Sequence, residues 1–188
     1  MAARTISAMA FTVEDRDVRP LTADEVLRMV DAGILADDEP VELLHRVLTA
    51  VSAKTPEHEA VKMRLSEWLA PGVVGRRYAV RVEAPVVVPD HTSLPEPDLS
   101  VVERQEYVSG HPATALLVVE VAVSSLRVDV QLKRGLYAAA AVPDYWVVDV
   151  DGGCVRTFAD PRGGAYATSG TARPGDTLTP HAVDVAPL

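Results

Sequence analysis

Three short pieces of this chain carry residues whose types and spacing could do chemistry together. They are Pro97-Asp98 at the mouth of an apolar run, Glu120 inside the run Leu116 to Val123, and Lys133 on the helical stretch that follows. An acid in the middle of a valine-rich strand is separated from the water that stabilises its charge, so Glu120 requires a partner or a bound cation. Two hard oxygen donors on neighbouring strands suit Mg2+ or Mn2+, which keep several waters and bind through one or two carboxylates plus a substrate phosphate. A lysine one helix later could stabilise charge on that phosphate or orient an attacking water.

Each residue also has a plainer account. Asp98 could be a turn aspartate accepting from its own backbone. Asp129, Lys133 and Tyr137 recur at four-residue spacing and so share one helix face, where an Asp129–Lys133 pair contributes only about 0.2–0.5 kcal/mol. Two further residues are accessory candidates: Glu42, between apolar neighbours at the start of a strand, and His58, on the apolar face of a helix. Their plainer accounts are an edge residue and a core histidine.

Other chemistries are excluded by missing patterns. There is no Gly-x-Ser-x-Gly elbow, and Ser124-Ser125 has no evident histidine and acid partner. Neither a phosphate loop nor a dinucleotide fingerprint is present. Cys154 is the only cysteine, which rules out an internal disulfide framework and a zinc site of several thiolates. A formal net charge of -9 argues against a protein that coats nucleic acid, because sequence-independent binding neutralises phosphates with Lys and Arg. Contact with nucleic acid must then be local. The candidate basic groups are Arg76-Arg77 with Arg81, and Arg127 with Lys133-Arg134, and the favoured reading of each is a solvated face. No apolar stretch is long enough to cross a bilayer, and Met1 to Arg19 lacks the apolar core of a secretory signal, so a cytoplasmic protein without membrane contact is expected.

The elements that must position these residues can be read from periodicity. With 188 residues, 48% apolar and 24% charged, the chain can bury one substantial core, and a single domain over residues 21–188 is expected after an arm over residues 1–20. Thr22-Ala23-Asp24-Glu25 has the form of a capping box, and Val26, Met29 and Val30 continue it as a helix ended by Gly33. Val41 to Val51 reads as a hairpin bending near His45-Arg46. Pro56 opens a second helix, with His58, Val61, Leu65, Trp68 and Leu69 on one face and Pro71-Gly72 as its stop. Strands are expected at Tyr78 to Val82, Pro85 to Val88 and Leu99 to Val102. The unbroken run Leu116 to Val123 marks a central strand covered on both faces. A helix from about Arg127 to Ala141, closed by Pro143, leads to a strand at Tyr145 to Val150, and this order predicts a parallel, right-handed crossover. Cys154 to Phe158 and the Gly- and Thr-rich remainder read as peripheral strands and loops.

Several of these segments together resemble a known family. Glu42-Leu43-Leu44, Pro56-Glu57-His58, Pro97-Asp98-Leu99, Val119-Glu120-Val121, Asp129 to Lys133 with Leu136-Tyr137-Ala138, and Val142 to Asp149 are similar to the Uma family of putative restriction endonucleases, over about residues 20–160. The resemblance implies the PD-(D/E)XK nuclease superfamily and an α/β, restriction-endonuclease-like core. That core is a mixed central β-sheet flanked by helices, here with an extra N-terminal helix and hairpin and peripheral C-terminal strands. It implies a Mg2+-dependent (or Mn2+-dependent) endonuclease hydrolysing phosphodiester bonds of DNA, with Asp98 and Glu120 as metal ligands and Asp98, Glu120 and Lys133 as the catalytic set. The same site would serve RNA, and double-strand cutting would favour a homodimer with two-fold symmetry. The superfamily's usual lysine position, two residues after the strand acid, is Ala122 here, which assigns the role to Lys133. His45-Arg46 stands where the family has Asp-Gly, and Val123-Ser124-Ser125 where it has Ser-Pro-Ser. A rival from another class is a catalytically silent nuclease-like module that binds nucleic acid or a protein partner.

Overall fold

The structure is a computed structural model that describes residues 19–73, 77–183 and 188. Most of the expected N-terminal arm, residues 1–18, lies outside the described residues, as does Arg76 of the first basic group. In chain order the elements are α1 (Ala23–Asp31), β1 (Val41–Leu44), β2 (Val47–Ala50), α2 (Pro56–Val73), β3 (Tyr78–Val82), β4 (Leu99–Glu103), β5 (Leu117–Ala122), α3 (Leu126–Val128), a π-helical turn (Asp129–Lys133), α4 (Arg134–Ala139), β6 (Asp144–Asp149), β7 (Cys154–Arg162) and β8 (Ala165–Ala172), with a 3-10 turn at Pro89–His91. No helix among the described residues is long and apolar enough to cross a membrane.

Strands β3 to β8 form one six-stranded mixed sheet in sequential order, and β1-β2 stands apart as a two-stranded hairpin. The only parallel pair in that sheet is β5 with β6, in the register Leu117↔Asp144 to Ala122↔Asp149, and the α3–α4 segment makes the crossover between them. Successive residues of a strand point to opposite faces, so β5 presents Leu117, Val119 and Val121 to one side and Val118, Glu120 and Ala122 to the other. The first set packs with Leu65, Leu69 and Val73 of α2 and with Trp146. The second faces Tyr137 and Ala140 of the crossover, Val142, and the rings of Tyr145 and Phe158. A helix layer on each face explains why β5 is apolar at every position but Glu120, and its parity sends Glu120 toward the crossover helix.

The capping box at Thr22 and Glu25 forms as expected, each side chain accepting from the other's backbone N–H. The hairpin closes in a two-residue turn with His45 at φ 47° and Arg46 at φ 70°, the left-handed pair that usually calls for Asn-Gly or Asp-Gly. Tertiary hydrogen bonds hold it without a glycine: the N–H of His45 donates to Ser93 Oγ at 2.8 Å, that of Arg46 to the Thr92 carbonyl at 2.7 Å, and that of Leu21 to the Arg46 carbonyl at 2.9 Å.

Three expectations are corrected. Pro85 to Val88 is extended but joins no ladder, because its N–H groups donate to the carbonyls of Pro95, Pro112 and Ser93 within its own loop layer. Helix α2 runs through Pro71-Gly72 to Val73, since Val73 is 2% exposed in the core and its burial offsets the hydrogen bond that Pro71 cannot donate. The crossover is not one α-helix over residues 127–141. It contains the π-helical turn, marked by the N–H of Arg134 donating to the carbonyl of Asp129 five residues back, and ends at Ala139.

Candidate active site

Three elements converge on Glu120. On β1, Glu42 and Leu44 share a face, and Leu44 packs with Val88 and with Leu136 of α4. Leu43 points the other way, into Ala23 and Val26 of α1. Burial of Leu44 against the crossover therefore draws Glu42 to the end of the π-helical turn, where Lys133 stands. The Glu42 carboxylate is fixed there by the N–H of Glu96 at 2.7 Å and accepts from Lys133 Nζ at 3.0 Å.

Lys133 Nζ also donates to Glu120 Oε1 at 3.1 Å, and the Tyr137 hydroxyl donates to the same oxygen at 2.7 Å. Asp129, the partner expected from helical spacing, stands farther off at 3.9 Å and accepts instead from the Ser125 hydroxyl at 2.6 Å. The π turn inserts a residue and re-aims the side chains that follow it, a device often found at functional sites. Glu42, Glu120, Asp129 and Lys133 are all buried.

Asp98 enters from the other side. The β4–β5 ladder runs from Val101↔Leu117 to Leu99↔Val119, and one step farther sets Asp98 opposite Glu120. Asp98 Oδ2 accepts the N–H of Val121 at 2.7 Å, so the carboxylate takes over where the ladder stops serving that strand. It thus satisfies a neighbouring strand rather than its own turn. His58, in the first turn of α2 with its N–H donating to Thr55 Oγ1 at 3.3 Å, brings Nε2 to 3.0 Å from Asp98 Oδ1.

All five residues singled out in the sequence, Asp98, Glu120, Lys133, Glu42 and His58, line one cleft of about 580 Å³. Ala122, at the superfamily's usual lysine position, is 1% exposed in the apolar layer and carries no polar group to that cleft. Tyr137 as a donor to Glu120, and the Ser125–Asp129 pair that flanks Lys133, were not singled out as site residues. Their signal in the sequence was the four-residue recurrence of Asp129, Lys133 and Tyr137. Of the described members of the two basic groups, Lys133 alone lines the cleft: Arg77 pairs with Glu103, Arg134 lies over the ring of Phe158 at 5.3 Å, and Arg127 is outside the lining.

The electrostatics are those of an acid-rich interior around one ammonium. Burial pushes the Glu120 carboxyl well above its ordinary range, with the charges of Asp129, Asp98 and Glu42 reinforcing the rise and Lys133 opposing it. Burial raises Asp129 as well. For Lys133 burial acts to lower the value, but Glu120, Glu42 and Asp129 together outweigh it and hold the ammonium charged. Burial and the Glu120 charge keep the Tyr137 phenol protonated, so it remains a donor. The hydrogen bond to Asp98 raises His58.

Whether these residues fit a divalent cation can be judged from the donor set. Among the described residues no group of three or more His, Cys, Asp or Glu side chains is arranged as a metal cage. Four carboxyl groups, Glu42, Asp98, Glu120 and Asp129, nevertheless line the cleft with Lys133. Among the described residues, the side-chain hydrogen bonds that Glu120 accepts from Lys133 and Tyr137 both fall on Oε1. Such a set fits an ion that takes one or two carboxylates and fills its other positions with water and substrate oxygen, as Mg2+ does.

Comparison with known proteins supports the fold and the family. A putative nuclease from Anabaena variabilis belonging to DUF820, known from a crystal structure, superposes with a TM-score of 0.65 at 17% identity, covering 85% of this chain and 89% of that one. That likeness establishes a shared restriction-endonuclease-like fold. No curated protein matches the chain. The family model described as Uma2, putative restriction endonuclease, matches residues 23–185, and the chain belongs to that family.

Proposed function

We propose that the cleft is the active site of a metal-dependent endonuclease that hydrolyses phosphodiester bonds of DNA. The observation that carries this reading is the meeting of Lys133 Nζ with Glu120 at 3.1 Å in a cleft also lined by Asp98. Glu120 and Asp98 are the residues that would hold Mg2+ or Mn2+. When bound, the ion would supply Lewis acidity toward a phosphoryl oxygen and lower the pKa of its water.

The chain's own residues do the rest. An ammonium has three N–H donors, and Lys133 uses two on Glu42 and Glu120, which leaves the third for a phosphate oxygen. Glu42 acts as a positioning residue, because its bond to the Glu96 N–H fixes the height at which it presents Lys133. Tyr137 orients the Glu120 carboxylate through Oε1. His58 does the same for Asp98 and closes that side of the cleft.

The test is incubation of the purified chain with plasmid, linear duplex, single-stranded DNA and RNA, with Mg2+ or Mn2+ and with chelator. Chelator-sensitive cutting that is lost in Lys133→Met and Glu120→Gln is expected. Binding of nucleic acid without cutting under any of these conditions would favour the silent module.

A further inference from the structure

We infer that the cleft takes an unpaired strand, at few phosphates, and discriminates against the interior of a duplex. The inference rests on the proposed phosphodiester chemistry of the same site and adds the form of its substrate.

Two observations carry it. The first is the state of the cations: among the described lining residues the permanent ones are Lys54 and Lys133, and both are already paired. Lys54 holds Glu83 at 2.6 Å, and Lys133 holds Glu42 and Glu120. The second is the entrance, where Asp37, Asp38 and Glu39 are all exposed and belong to the lining.

A duplex carries one phosphate charge per about 1.7 Å of axis, against one per about 3.4 Å for a strand, and duplex-binding proteins commonly neutralise about 6–10 phosphates. Among the described residues the cleft offers no comparable row of free cations, and its acidic entrance repels the denser polyanion more strongly. Its volume of about 580 Å³ is that of a small-molecule pocket, which matches a short length of strand rather than a face for a double helix.

The experiment compares cleavage by the full chain in Mg2+ or Mn2+ on four labelled probes: an unpaired DNA strand, the same strand in a blunt duplex, a duplex with a single-stranded gap, and an unpaired RNA strand. Cutting of the unpaired strand and within the gap at least about ten-fold faster than of the blunt duplex is expected. The RNA arm decides whether the sugar matters. Equal or faster cutting of the blunt duplex overturns the inference while leaving the hydrolytic reading intact. Should nothing be cut, anisotropy with the same probes in Ca2+ separates the two. Preference for the unpaired strand then keeps the inference and sinks hydrolysis, whereas equal or absent binding overturns it.

With about two phosphate contacts, binding of the strand should weaken only about 7-fold between about 50 and 200 mM salt. Asp37→Lys with Asp38→Lys should narrow the preference by strengthening duplex binding. An unchanged preference in that variant would overturn the role given to the entrance.

Discussion

Lys133→Met tests the site most directly, because it separates a buried counter-ion from a surface ion pair. Were Lys133 only the i,i+4 partner of Asp129, the loss would be about 0.2–0.5 kcal/mol. The structure puts it elsewhere: Lys133 is 6% exposed, and its ammonium stands 3.0 Å from Glu42 and 3.1 Å from Glu120, both buried. Removing one partner of a buried pair leaves uncompensated charge and costs about 3–5 kcal/mol. For a domain of this size each kcal/mol moves Tm by about 2–4 °C, so differential scanning calorimetry at neutral pH should show Tm lower by about 6–20 °C. The deficit should shrink on acidification, because Glu120 and Asp129, already raised by burial, then take up protons and cease to repel. Adding Glu42→Gln to Lys133→Met should recover part of the loss at neutral pH by removing one of the stranded charges. A Tm within 2 °C of wild type, about the effect of 0.5–1 kcal/mol, with no pH dependence of the difference, would refute the assignment of Lys133 as the counter-ion of Glu120.

Three further outcomes are expected. Millimolar Mg2+ or Mn2+ should raise the Tm of the wild type, by the equivalent of about 2.7 kcal/mol at a concentration 100 times Kd, and Glu120→Gln should show no such shift in the same titration. In the absence of metal, stability should fall as pH rises above about 4.3, since a carboxyl raised in the folded state binds its proton more tightly there than in the unfolded chain. His58, also raised, adds stability that is fully present below about 6.5 and is lost as pH climbs through its folded value; chemical denaturation across this range should show a shallower dependence in both Glu120→Gln and His58→Gln. Ala141, exposed at φ 54° in a Schellman-type helix end where the N–H of Val142 donates to the Tyr137 carbonyl, should gain about 1 kcal/mol on substitution by glycine, read as a higher denaturation midpoint.

What the sequence alone determined is what local chemistry can encode. The capping box at Thr22 and Glu25, the proline start of α2 and the apolar run of β5 each state their element within a few residues, because propensity and period act over one turn or one strand. The cost of a charge in such a strand likewise identified Glu120 as a residue needing a partner. Which partner it finds was decided only by the tertiary structure. Local spacing pointed Lys133 at Asp129, but the π turn and the packing of Leu44 on Leu136 bring it to Glu42, 91 positions away in sequence, and to Glu120. The same holds for Asp98, whose acceptance of the Val121 N–H exists only because the β4–β5 ladder ends at Leu99↔Val119. Low-dielectric burial makes these few distant contacts energetically decisive, and they depend on how helices and strands pack, which no local window of the chain contains.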